Sequence, residues 1–296
     1  MSNSLKGIFC LITAGAILAF TDGLSKFLTD GYPPGQILFF RSVFVFIPIA
    51  IMVWRKGGFR TVLIVDRRGQ LMRGLFAVIT SFLFMIAIKH MPLADITAIM
   101  FATPIIMTAL APYFLGEEVG WRRWTAVIIG FSGILLMIRP SGEALFWPAL
   151  LALAATFFNS FRDLATRHLS RTEDANGIMI CTTACVMLGG FGSLFFAWRA
   201  PDLDGLALFA LTGVLQGIGQ YFLVVAFLFG EAVVVAPFRY FALIWATLYG
   251  YLMFGDIPGL DTLSGAAIVV GSGLFIFCLL YTSDAADDGL GVDLGG

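Results

Sequence analysis

The chain has 296 residues, a net charge of −1, and a composition that is 59% hydrophobic and only 12% charged, with a mean hydropathy of +0.93. Soluble domains carry roughly 25% charged residues, so this composition points to the bilayer as solvent. No basic tract is present, which excludes nucleic acid as a partner.

A bilayer-crossing helix needs about 20 mostly apolar residues. In chain order, such spans are predicted near 5–28, 34–54, 70–89, 93–115, 122–139, 145–168, 177–198, 206–229, 232–253 and 262–281. The breaks between them carry Pro, Gly and charge, as in 32–35, 89–92, 139–142 and 200–202. Several connections are only a few residues long, so adjacent helices are expected to run antiparallel. The first span runs on without a small-x-small cleavage site and is expected to remain in the mature protein. The acidic, Gly-rich segment 282–296 reads as a disordered tail without assigned function.

The chain also reads as built twice. Leu115-Gly116-Glu117-Glu118-Val119-Gly120 is echoed 139 positions later by Phe254-Gly255-Asp256-Ile257-Pro258-Gly259, and 82–87 falls on 221–226 at the same offset. An offset of 141 lays 22–26 on 163–167. Two repeats are expected, 1–140 and 141–281, with five spans each. An odd number of spans turns the second repeat upside down relative to the first. The predicted fold is therefore all-α: ten transmembrane helices in a five-plus-five inverted repeat around a central cavity.

Lys and Arg set the expected orientation. With the N-terminus inside, the inner segments hold eleven (Lys6, Arg55, Lys56, Arg60, Arg67, Arg68, Arg73, Arg122, Arg123, Arg167 and Arg171). The outer ends hold four (Lys26, Lys89, Arg139 and Arg199), so both termini are expected in the cytoplasm.

Five ionisable residues fall within spans: Asp22, Arg41, Arg162, Asp163 and Arg239. A charge there costs from about 2.5 kcal/mol to well over 10, so each needs a partner or water. Asp22 and Arg41 are expected near the outer side, and Arg162, Asp163 and Arg239 near the inner side. Static ion pairs, gates and direct substrate contact all remain open for them.

Uncharged polar residues mark a cavity more directly. Gln216 and Gln220 lie one helical turn apart and share a face, as do Asn159, Arg162 and Asp163. Ser81 matches Gln220 at the 139 offset, and Thr97, Phe101 and Pro104 follow one another at i, i+4, i+7. Tyr240 matches Phe101, while Phe82 and Met85 adjoin Ser81. Interhelical hydrogen bonding is the plainer reading of such polar groups. Pro104 and Pro237 each remove a backbone donor and are hinge candidates. Gly213-x-x-x-Gly217, Gly130-x-x-Gly133 and Gly271-Ser272-Gly273 are expected at close helix contacts.

Cys10, Cys181, Cys185 and Cys278 all lie in apolar runs and read as packing residues. There is no Walker-type phosphate loop, so ATP is not expected to drive the chain by itself. His90 and His168 sit at span ends without ligand spacing, and no His lies on a span to activate Ser272. No metal, cofactor or enzymatic activity is expected.

Ten spans, a five-helix repeat, the Gly116-Glu117-Glu118 and Gly255-Asp256 turns and Gly-rich final helices together resemble the drug/metabolite transporter superfamily, EamA type. The overall sequence character is most similar to YddG-type amino-acid exporters. The second repeat departs from the pattern in having Ile257 where the first has Glu118. The resemblance implies a cavity framed by helices 1, 3, 4, 6, 8 and 9, with helices 5 and 10 peripheral. It also implies a secondary transporter of the bacterial inner membrane that exports amino acids, aromatic ones included, by alternating access. The alternative is a broad-specificity metabolite or drug exporter of the same fold. In the amino-acid reading, Asn159, Gln216 and Gln220 bind the amino and carboxylate groups, and Phe82, Met85, Phe101 and Tyr240 form an adaptable apolar wall.

Overall fold

The computed structural model describes residues 3–55, 58, 64–115, 120–138, 146–169, 172–196, 198–229 and 232–291. Every regular element among them is helical. They are α1 (Asn3–Leu28), α2 (Pro34–Arg55), α3 (Arg67–His90), α4 (Leu93–Met100), α5 (Thr103–Leu115), α6 (Trp121–Ile138), α7 (Phe146–Leu169), α8 (Ala175–Gly192), α9 (Leu203–Phe229), α10 (Ala232–Val235), α11 (Phe241–Phe254) and α12 (Leu260–Gly291). A 3-10 turn, Ser193–Phe195, extends α8, and another, Ala236–Tyr240, joins α10 to α11. The first acidic turn, 116–119, lies outside the described residues, as does 292–296 at the end of the expected tail.

Local chemistry sets the helix ends. Asp66 caps α3 by accepting from Gly69 N at 2.9 Å, and Asp174 caps α8 by accepting from Asn176 N at 3.1 Å. Gly255 ends α11 with φ of 71°, a left-handed conformation that glycine adopts without strain.

Eight helical segments among the described residues are long and apolar enough to cross a membrane. Two of the ten expected spans differ. α7 has sufficient length, but Arg162, Asp163 and Arg167 make it too polar. The span expected at 232–253 is divided into α10, a 3-10 segment and α11. The span at 93–115 is also divided, by a turn at Phe101 and Ala102. Pro104 has no N–H for the carbonyl of Met100, one helical turn earlier, and Thr103 Oγ1 donates to that carbonyl instead at 2.7 Å.

α1 packs along α9, and α3 along α7; α2 lies between α8 and α9. α6 packs along α12, and α4 meets α7 and α11. Exchanging residues for those 139–141 positions away turns the α1–α9 contact into the α7–α3 contact and leaves α6–α12 unchanged. The main core includes Ile37, Leu38, Met85, Ile88, Ile96 and Phe209, all fully buried. Large apolar side chains such as Phe9, Ile47, Ile128 and Leu228 project outward, as in a bundle solvated by lipid.

The α6–α12 contact depends on missing side chains. A Cβ at Gly133 would meet Gly265 O and Ile268 Cβ, each at 2.9 Å, so the two backbones are nearly in contact there. Gly213 similarly admits α2, whose Arg41 carbonyl would lie 2.5 Å from an added Cβ.

Candidate functional site

A polar cavity of about 210 Å³ opens among α2, α3, α7, α8 and α9. Its walls include Ser81, Gln216 and Gln220 together with Arg41, Arg73 and Arg162. The helical period explains the gathering: Arg73, Ala77 and Ser81 recur every fourth residue along α3, and Gln216 and Gln220 are one turn apart on α9. Thr21 of α1 donates to Gln216 Oε1 at 3.3 Å, which helps orient that amide beside the cavity.

Two carboxylates offset part of this positive charge. Asp163 accepts from Nε and Nη2 of its neighbour Arg162 at 3.2 and 3.0 Å. Asp22 and Arg41 interact electrostatically across α1 and α2 without a close ion pair. Among the described residues, Asp163 is bonded to its neighbour Arg162 and not to Arg239.

A second cavity, of about 270 Å³, lies beside the chain breaks. It is lined by Phe101, Pro104, Pro237, Arg239 and Tyr240, with Met100 and Met107 among its apolar walls. The Phe101 and Tyr240 rings meet edge to face at 5.0 Å, joining the α4–α5 break to the 3-10 segment. Buried Asn159 stands between the cavities. Its Nδ2 donates to Thr103 Oγ1, on the wall of the second cavity, at 3.2 Å and to Asp163 Oδ2 at 3.4 Å.

Three predicted residues are placed in packing or local bonding. Met85 is fully buried in the core and Phe82 packs against that core. Thr97 Oγ1 donates to the Leu93 carbonyl of its own helix at 2.8 Å. Arg73 is the residue that sequence reasoning missed as a cavity group, because it was counted among inner-end cations. The four-residue spacing from Ser81 through Ala77 was the available signal.

Contacts join the helices at both ends of the bundle. At one end, Lys26 pairs with Asp256 at 2.9 Å and donates to Met91 O at 3.1 Å. At the same end, Gln36 and the Arg199 backbone exchange hydrogen bonds of 2.6 and 3.1 Å. At the opposite end, Glu173 accepts from Asp66 N at 2.8 Å, from Val65 N at 3.2 Å and from Gln70 Nε2.

Residues 5–139 match the model of the EamA-like transporter family. A riboflavin transporter of Rhizobium johnstonii is 26% identical over 93% of this chain and 92% of its own length. An S-adenosylmethionine uptake transporter of Rickettsia bellii is 28% identical, covering 93% of this chain and 96% of its own. A pseudopaline exporter of Pseudomonas aeruginosa is 24% identical, covering 90% and 93%. One crystal structure shares the fold with a TM-score of 0.64 at 18% identity, over 94% of this chain and 98% of its own. The family model over the first half and transporter relatives below 30% identity over both halves make the chain similar to the EamA-like transporters and indicate a multi-pass membrane transporter, not an enzyme.

Proposed function

We propose that the chain is a ten-span secondary transporter, built as two inverted five-helix repeats, that exports amino acids across the bacterial inner membrane by alternating access. The observation that carries this reading is the polar cavity inside a lipid-solvated bundle, where Gln216, Gln220 and Ser81 face three arginines. Amide and guanidinium groups together suit a small zwitterion: the amides serve its amine and the arginines its carboxylate. The exchange pattern of helix contacts supports the repeat, and the Lys/Arg bias supports cytoplasmic termini.

Pro104 and Pro237 serve as hinges in this mechanism. They stand beside the divided helices, and Phe101 and Tyr240 connect the two breaks. Asp22–Arg41 and Arg162–Asp163 act as charge pairs whose rearrangement accompanies access from the two sides. A broader metabolite or drug exporter is the second reading. It is favoured by the second cavity, where Met100 and Met107 offer a tolerant apolar wall.

The test is efflux of labelled phenylalanine and leucine from proteoliposomes, with and without a pH gradient. The amino-acid reading expects efflux that falls about 10-fold or more in the Gln216→Ala/Gln220→Ala protein, in line with loss of hydrogen bonds to charged substrate groups. Absence of amino-acid movement under both conditions would remove this reading and leave the broader exporter.

A further inference from the structure

The surplus positive charge of the polar cavity is concentrated on one side chain. Arg162 is bonded to Asp163, and Arg41 lies in the field of Asp22. Among the described residues, the hydrogen-bond partners of Arg73 are neutral: its Nε donates to Thr166 Oγ1 at 2.7 Å, and its Nη1 donates to the Thr182 hydroxyl and to Ile178 O at 3.5 Å. Its Nη2 has no acceptor among the described residues. Arg162 and Asp163 act on the guanidinium with opposite sign.

The two hydroxyls are oriented for this cation. Thr166 Oγ1 donates its own proton to Arg162 O at 2.7 Å, and Thr182 Oγ1 donates to Ile178 O at 2.6 Å. Each hydroxyl thus turns lone pairs toward Arg73, fixing one side of the guanidinium plane. Hydroxyl and carbonyl dipoles offset only part of the cost of a charge within a membrane span. A carboxylate arriving from the cavity would supply the missing counter-charge and charge-assisted hydrogen bonds.

We propose that Arg73 is the carboxylate anchor of the transport cavity and that its ligand class is small carboxylates, for which an amino group is optional. This deepens the transport reading and rests on it for the role of the cavity. Ser81 lies two turns along the same face of α3, with Gln216 and Gln220 on α9, so the ligand's remaining polar group meets neutral partners. Recognition is then weighted toward the acidic end of the molecule.

The experiment compares three competitors of labelled phenylalanine efflux in proteoliposomes: phenylalanine, N-acetylphenylalanine and phenylalaninamide. N-acetylphenylalanine is expected to compete within about 3-fold of phenylalanine, whereas the amide should be at least about 10-fold weaker, by the weight of charged hydrogen bonds. Arg73→Gln should raise the KM for phenylalanine about 10- to 100-fold and abolish the distinction between acid and amide. Arg73→Lys, which restores the charge without the planar fork, should recover part of the affinity.

Equal competition by the amide in the unaltered protein would overturn the anchor, whether or not the variants fold. So would phenylalanine efflux with unchanged KM in a well-folded Arg73→Gln protein; amino-acid transport would then stand without the anchor. If phenylalanine does not move, binding of N-acetylphenylalanine to purified protein is measured by thermal shift. Stabilisation by it, but not by phenylalaninamide, retains the anchor while amino-acid export fails; no preference between them overturns it.

Discussion

Tyr32 Oη donates to Asp202 Oδ1 at 2.9 Å, tying the α1–α2 connection to the start of α9. The Gly205 N–H, at 2.8 Å, is the leading cause holding the Asp202 carboxyl below its ordinary pKa, followed by the Tyr32 hydroxyl. For Tyr32, burial is the leading cause pushing its phenol up, followed by its hydrogen bond to Asp202. A depressed carboxyl contributes stability above its unfolded pKa, about 3.9, and loses that contribution as pH falls through its folded value. The raised phenol has the opposite sense and loses its contribution as pH rises through its folded value. Thermal unfolding in detergent should therefore weaken below about pH 4 in part through Asp202, and Asp202→Asn should flatten that acid dependence. An identical acid slope in the variant would refute the assignment.

Glu173 should matter more than an exposed acid at a helix end. It is 8% exposed and accepts from two backbone N–H groups and an amide. Glu173→Ala leaves those donors without their acceptor and should cost about 1–3 kcal/mol, while Glu173→Gln retains part of the contact. Denaturation midpoints of the two proteins provide the comparison; equal midpoints would show that the cradle contributes little.

The α6–α12 seam predicts a position-specific steric effect. Gly133→Leu should destabilise by about 1–3 kcal/mol or more, because the added atoms face backbone and a branched side chain. Gly271 has nothing within 4 Å of an added Cβ, and Gly271→Leu should change the melting temperature little. Similar melting losses in both proteins would contradict the seam.

Asn159 should separate stability from transport. An interhelical hydrogen bond in a membrane averages about 0.6 kcal/mol, so Asn159→Ala should lower stability only modestly. Its links to Thr103 and Asp163 couple the second cavity to the charge pair, and their removal should reduce the efflux rate about 10-fold. A large melting loss with unchanged efflux would make Asn159 a packing residue alone.

Hydropathy made the apolar helices legible, and spacing made half of the polar cavity legible. Gln216 and Gln220 needed only the helical period to be paired, and the repeat offset directed attention from Gln220 to Ser81. Arg73 was obscured because loop charge and cavity charge have the same composition near a helix end; only depth along α3 separates them. Proline marked Pro104 and Pro237 without revealing that both spans would divide, since that depends on whether a replacement donor is at hand. Thr103 supplies one at Met100. The bonding of Asp163 to Arg162 was equally invisible, because a rotamer selects between an adjacent and a distant cation.

Glu173 ties the α7–α8 connection to the start of α3. Tyr32 and Lys26 tie helix junctions at the opposite end, Lys26 holding the Met91 carbonyl before α4 and Asp256 after α11. The interruptions at Phe101–Ala102 and Ala236–Tyr240 fall between those junctions. A beam clamped at both ends does not tilt as a block. It yields where its internal bracing is weakest, and at Phe101–Ala102 turn-type backbone bonds to Ala98 and Ile99 and the Thr103 hydroxyl bond to Met100 stand in for the regular helical ladder. In the proposed transport cycle, bending is therefore expected at the broken helices, between junctions that keep their ties.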